Sequence, residues 1–434
     1  MCVKTFVKTK DALFAAFVAS FANRFLAYTN DSLPLPSTQK KVLKSMKDTH
    51  KKVMTAQTPQ VPAEVENNKY VYTRYFDLEY TRLLVENVIE PMDKAYYRSE
   101  FIGFDELPKR NNPDRPLIFI SNHSGMAFPW DGMIFAAELF RRHNFSSDCI
   151  RPLSAPMLSQ TALMNPFMIH RLWKKVGCVD ATTLNFETMM QFNDYNILIY
   201  PEGVPGIGKG FNRKYQLQRF STSFVRMALK YKTDIIPFAT VNAEYINPYV
   251  YSFPAVNRLV NKIGMPFLPM GLITTLALTI PWIFYCGFPA KMTYVMGKRI
   301  DPYALLDDPD KSFEDITQAE IEQVRDKINA QVQAELDEGV RKYGKSPYQF
   351  KEFFKAKHER IGKFPALYPF GWPALFYEFD RLYNKGKRNF KMKVKWYDFF
   401  LLTLRNPLSI AHFIPVLGWI PLLLHAYFTK PKDK

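Results

Sequence analysis

With 434 residues, 47% hydrophobic and 23% charged, the chain is too apolar for intrinsic disorder and too long for one small core, so one large elaborated domain or two units are expected. Its four cysteines (Cys2, Cys149, Cys178, Cys286) include no C-x-x-C pair, which argues against zinc ribbons and disulfide frameworks and fits a reducing compartment. The formal charge is +17, and residues 345–434 carry +11 of it (17 Lys/Arg against 6 Asp/Glu) amid uncharged apolar stretches, a pattern that suits anionic lipid and not nucleic acid.

In chain order, "MCVKTFVKTKDALFAAFVASFANRF" reads as an amphipathic interfacial helix within residues 1–30, stopped by the prolines of "LPLP" at 33–36. A basic stretch at 40–52 and a linker around Pro59 and Pro62 follow. Residues 69–98 have helical spacing of Tyr72, Phe76, Leu83 and Leu84 among charges. From about residue 100 short β-rich runs take over: "PLIFIS" (116–121), "YNILIY" (195–200), "DIIPFATV" (234–241) and "KMTYVM" (291–296). Helical patterns separate them, so the fold class is α/β. The strongest helix signal covers 316–344. Thr317 and Glu320 form a capping box, Ile316 and Ile321 a hydrophobic staple, and Gly344 a stop. Its stripe of Ile321, Val324, Ile328, Val332, Leu336 and Val340 is core packing.

Two uncharged stretches, 263–290 and 406–428, are each long enough on paper to cross a bilayer. Both are interrupted by prolines, so membrane-dipping or interfacial segments are expected in place of regular spans.

Two loops hold candidate chemistry. In "IFISNHSGMAFPWDG" (118–132) a strand delivers His123 into an uncharged turn, and Asp131 is the first acid after it; Glu138 is the next. An imidazole near neutral pH can act as a base, and a carboxylate on its other nitrogen fixes the tautomer. His143 and His170 have no such setting. In "NILIYPEGVPGIGKGFNRKYQLQRF" (196–220) a second strand runs into a Gly-rich loop. Gly203 to Lys209 fits G-x-x-x-x-G-K, but Gly210 stands where a nucleotide-binding loop needs Ser or Thr, which argues against an NTPase. The loop offers backbone N–H groups beside Lys209, Arg213, Lys214 and Arg219, suited to an anionic or polar head group. Arg219, among Leu217, Phe220 and Phe224, reads as structural, with Glu202 as its expected ion-pair partner.

The order "SNHSG…D" then "IYPEG" resembles the PlsC-like family of glycerolipid and lysophospholipid acyltransferases, the 1-acylglycerol-3-phosphate acyltransferase type included. "VGCVDATTLNFETMMQFNDYNILIYPEG", "IIPFATVNAEYINP", "GKRIDP" and the helix to 344 extend the likeness over about 95–345. The resemblance implies a central mixed sheet flanked by helices, with an N-terminal membrane-interacting region (1–95), an acyltransferase domain (96–344) and a membrane-associated extension (345–434). It implies His123 as general base oriented by Asp131, and Glu202 and Gly203 in binding the acceptor. The donor would be acyl-CoA or acyl-ACP, with no metal or other cofactor; partners would be membrane lipids, not nucleic acid. Its implied place is the cytoplasmic face of a membrane, the inner membrane in a bacterium. Two features depart from the pattern. The spacing is H-x7-D in place of H-x4-D, and Pro205 stands where an arginine often follows P-E-G. An anionic acceptor would therefore be read by Lys209 or Arg213. The alternatives are a neutral acceptor such as diacylglycerol, another hydroxylated lipid or an alcohol, or a non-catalytic lipid-binding protein on the same fold.

Overall fold

A computed structural model describes residues 61–124, 128–192, 194–262 and 267–429. The chain divides into residues 1–61 and a unit of residues 62–434. The expected amphipathic helix within 1–30 and the basic stretch 40–52 lie outside the described residues.

Seven strands form one mixed sheet in the order β1-β7-β6-β2-β5-β3-β4. They are β1 (Glu100–Ile102), β2 (Ile118–Ser121), β3 (Ile150–Ser154), β4 (Val179–Asp180), β5 (Asn196–Ile199), β6 (Ile235–Val241) and β7 (Thr293–Met296). All neighbours pair in parallel except β6 and β7. The principal helices are α1 (Trp130–Arg142), α2 (Thr183–Gln191), α3 (Ser223–Tyr231), α4 (Leu272–Thr279), α5 (Gln318–Tyr343), α6 (Trp372–Asn384), α7 (Trp396–Arg405) and α8 (Trp419–Phe428).

The four expected strands are β2, β5, β6 and β7. Strands β1 and β4 escaped the periodicity because they are short, and β3 because Arg151 and Pro152 interrupt its apolar run. Arg151 is nevertheless buried: its guanidinium donates to the carbonyls of Gly177 (2.9 Å) and Tyr72 (2.7 Å) and lies over the rings of Tyr72 and Phe76.

Alternation along the central strands divides the core into two layers. Leu117 and Phe119, with Leu198 and Ile236, face one cluster that also takes Leu83, Val88, Ile134 and Phe135. Ile118 and Ile120, with Ile197 and Ile235, face the other, closed by α2, α3 and the α5 stripe. The α5 capping box forms as the sequence predicts, with Thr317 accepting from the Glu320 N–H.

The expected boundaries at 95/96 and 344/345 do not separate cores. The helical stretch 78–97, with two π-helical turns, packs Leu84, Val88 and Tyr97 into the first layer. From the C-terminal region, α6 adds Trp372, Leu375, Phe376 and Phe379 to the same layer. Among the described residues after 345 no lysine or arginine is buried, so their charge lies on the outer side of a segment whose inner face is core.

In this layer Asp93 is fully buried and accepts hydrogen bonds from the Ser99 N–H (3.2 Å) and hydroxyl (2.5 Å). Burial pushes its carboxyl up from 3.8 to about 7. The folded state therefore holds a proton that the unfolded chain releases. The stabilisation it brings is complete below pH 3.8 and is lost as pH rises through about 7. Denaturant titrations at several pH values should show the parent losing stability over that window, while Asp93→Asn is flatter. Parallel profiles for the two proteins would contradict this.

Candidate functional site

Strands β2 and β5 are parallel neighbours, in register with Ile120 opposite Ile199, so the loops leaving their carboxyl ends emerge side by side. That edge of an α/β sheet is where ligands bind. Asn122 extends β2 by one residue. Its side chain donates to the Thr240 carbonyl (3.0 Å) and accepts from the Thr240 N–H (2.8 Å), copying a strand pairing with β6. Ser121 adds a hydroxyl contact to Thr240 at 2.9 Å. His123 thus leaves a clamped strand end.

Asp131 lies in the first turn of α1 and is completely buried. Its Oδ2 is 3.0 Å from His123 Nδ1 and accepts the Ser124 N–H (3.2 Å), while Oδ1 accepts the Gly132 N–H (2.8 Å). Glu138 is two turns further along α1 and pairs with Arg141 (3.0 Å), away from the imidazole. The longer His–Asp interval is accommodated because it includes both the loop and the entry to α1.

Glu202 fixes the histidine from its other side. Its Oε1 accepts the backbone N–H of His123 (2.8 Å) and its Oε2 that of Gln218 (2.7 Å). Gly203, at φ +58°, makes the turn that lets P-E-G double back. The imidazole stacks on Tyr200, with ring centroids 4.3 Å apart. Tyr200 and Asn122 have clear positions here, yet neither was singled out from the sequence; their signal was only adjacency to His123 and Glu202.

The basic residues of the Gly-rich loop part company. Lys209 is buried, with Nζ 3.8 Å from Glu202 Oε2 and 3.8 Å from Glu244 Oε1, where Glu244 follows the carboxyl end of β6. Desolvation raises the Glu244 carboxyl above its ordinary value, and Lys209 opposes that shift. Arg213 is exposed and lies off the cavity described below. Arg219 is exposed and pairs with Glu322 (3.3 Å), not with Glu202 as the sequence predicts; the buried Lys209 takes that place.

Removing the Lys209 charge would leave two buried carboxylates without their cation. Lys209→Met should therefore cost about 3–5 kcal/mol of stability. Adding Glu244→Gln should recover much of the loss. Urea unfolding checks both; unchanged stability of Lys209→Met would show that the ammonium does not hold these carboxylates.

A cavity of about 1110 Å³ opens beside His123. That exceeds the usual ~300–1,000 Å³ of small-molecule sites. Its walls are mostly apolar and include Leu84, Met133, Phe140, Met164 and Trp173. Near Glu202 and Gly203 the lining turns polar, with Ser221, Thr222, Arg219, Arg325 and Glu322. Arg325, unremarked in the sequence because it interrupts an apolar helix stripe, is buried and pairs with Asp326 (2.8 Å).

A family model described as Acyltransferase matches residues 98–241. Uncharacterized proteins of Mycobacterium tuberculosis and Mycobacterium bovis are each 28% identical over 244 residues, 55% of this chain and 63% of theirs. One from Mycobacterium leprae is 26% identical over 252 residues, 56% of this chain and 65% of its own. The chain thus spans less than two thirds of the length of these relatives. The stretch matched by the Acyltransferase model runs from the start of β1 to the end of β6, and so through the loops that bear His123, Asp131 and Glu202.

Proposed function

We propose that the protein transfers a fatty acyl group from a thioester, on coenzyme A or acyl carrier protein, to the hydroxyl of a lysophospholipid or lysophosphatidate. The observation that carries this reading is a histidine on a buried aspartate, with its ring lining a cavity of lipid character. With Asp131 accepting from Nδ1–H, Nε2 is free to take the acceptor's hydroxyl proton. The hydroxyl oxygen attacks the thioester carbonyl, and the tetrahedral intermediate collapses with loss of the thiolate. Nε2–H returns its proton to that thiolate, giving an ester and a free thiol. The apolar walls suit the acyl chain, whose burial is favourable by about 0.8 kcal/mol per methylene. Stacking on Tyr200 and the Glu202 contact hold the imidazole in place, and Glu202 and Gly203 border the space for the acceptor.

One observation favours a neutral acceptor as the second reading. The arginines lining the cavity, Arg219 and Arg325, already face Glu322 and Asp326, so their charges are largely cancelled. Of the two, Arg219 is placed to read an anionic head group, because its partner is a half-exposed surface carboxylate. A charge-assisted contact to phosphate contributes about 1.5–3 kcal/mol. Arg219→Met should then raise the KM for lysophosphatidate roughly ten- to a hundredfold and leave diacylglycerol unaffected. The test compares lysophosphatidate, a lysophospholipid and diacylglycerol with both proteins. Diacylglycerol as best acceptor, with no change of ranking in the variant, would favour the neutral reading.

A further inference from the structure

The described residues leave a large apolar surface outside the core. On α8, Ile420, Leu423, Leu424, Tyr427 and Phe428 are 50–77% exposed, while Leu422 and Ala426 on the opposite face are buried. On α7, Trp396, Tyr397, Phe400, Leu401 and Leu404 repeat the arrangement at helical spacing. A helix that is apolar on both faces, in a chain otherwise solvated by charge, has an outer face that water does not suit. Helix α4 adds exposed Leu272, Leu276 and Leu278, from more than a hundred residues earlier in the chain. Backbone bonds tie the two regions together: the Val416 N–H to the Thr279 carbonyl (2.6 Å) and the Trp282 N–H to the His412 carbonyl (2.8 Å). Trp419 Nε1–H donates to the Leu278 carbonyl (2.9 Å).

The charge beside this surface has one sign. Between α6 and α7, residues 385–395 contain six basic residues and no acid. Phe390, Met392 and Val394 turn inward onto the main core, so the alternating Lys391, Lys393 and Lys395 face outward. Neither α7 nor α8, at 10 residues each, can cross a bilayer, and no described helix is long and apolar enough to do so. Short apolar helices with exposed tryptophan and tyrosine beside lysines suit the interface of one leaflet.

We propose that α4, α7 and α8, with the lysine strip before α7, form a monotopic plate that docks the protein on an anionic bilayer surface. The cavity adjoins this plate. Leu163 lines the cavity and also packs against the cluster of Met168, Ala411 and Leu422 beneath α8. Acyl-bearing lipids would therefore meet the apolar end of the cavity from the membrane side. The docking claim stands on surface chemistry, and only its purpose rests on the acyl-transfer reading.

Flotation of the full chain with phosphatidylcholine vesicles, with and without phosphatidylglycerol, tests it. The parent should float best with the anionic vesicles, and high salt should weaken but not abolish that binding. Lys391→Gln and Lys393→Gln should each lower affinity about fivefold for anionic vesicles only. Ile420→Asp, Leu423→Asp and Leu424→Asp together should remove the salt-resistant part, a loss of more than about tenfold. Circular dichroism and melting establish that this triple variant is folded. A parent that floats with neither vesicle overturns the proposal. So does a triple variant that binds like the parent, which would place binding elsewhere, or a parent whose apolar face is covered by a second copy in a stable dimer by ultracentrifugation. Because binding is read without turnover, vesicle capture by a protein that transfers no acyl group would leave this proposal intact and remove the enzymatic one.

Discussion

Replacing His123 with alanine is expected to lower the rate of acyl transfer about 10²–10⁴-fold while leaving the protein folded. The side chain lines the cavity and is partly exposed, so its removal enlarges an existing cavity and leaves no closed void in the core. The main-chain contact from its N–H to Glu202 does not depend on the ring and persists in the variant. The loss should fall on kcat, because the imidazole meets the hydroxyl proton and not the acyl chain or head group. Melting temperature and product formation measured on the same preparation separate the two effects. Activity within a few-fold of the parent, at unchanged melting temperature, would remove His123 from the chemistry.

Asp131→Asn should be as severe, on the order of 10³–10⁴-fold, and for a different reason. A carboxylate can only accept, so His123 is held with a proton on Nδ1 and a lone pair on Nε2. An amide NH₂ facing Nδ1 would favour the opposite tautomer, in which Nε2 carries the proton and cannot take another. The substitution also sets an NH₂ against the Ser124 N–H, so some loss of stability should accompany it. Glu138→Gln is the control, since that carboxylate engages Arg141 and leaves the ring alone. Its rate should stay close to the parent's. A silent Asp131→Asn beside a damaging Glu138→Gln would reverse the assignment of the two acids.

What could be read from the chain and what could not follow one physical line. Local signals were legible: the apolar runs of β2, β5, β6 and β7, the Thr317–Glu320 cap, and a histidine leaving a strand. These depend on residues a few positions apart. Lys209 was not legible, because a lysine in a glycine-rich loop looks solvated unless its distant carboxylate, Glu244, is known to arrive at the end of β6. Arg219 changed meaning for the same reason, because its partner Glu322 is brought to it by α5. The region after residue 345 looked like an appendage because its charge and prolines dominate the composition. Yet a single helical face, from Trp372 to Phe379, is enough to join it to the main core. The short strands β1 and β4 are held by neighbours instead of by their own sequence, and no local pattern announces them.

The most direct measurement is incubation of the purified full chain with a labelled long-chain acyl-CoA or acyl-ACP, a lysophospholipid and anionic vesicles, with the ester product and released thiol followed together. Equal amounts of new ester and free thiol are expected from the parent, and a loss of at least about a hundredfold with His123→Ala. Ester formed at the same rate by both proteins, or no ester from either donor with any hydroxyl acceptor, would contradict the acyl-transfer reading.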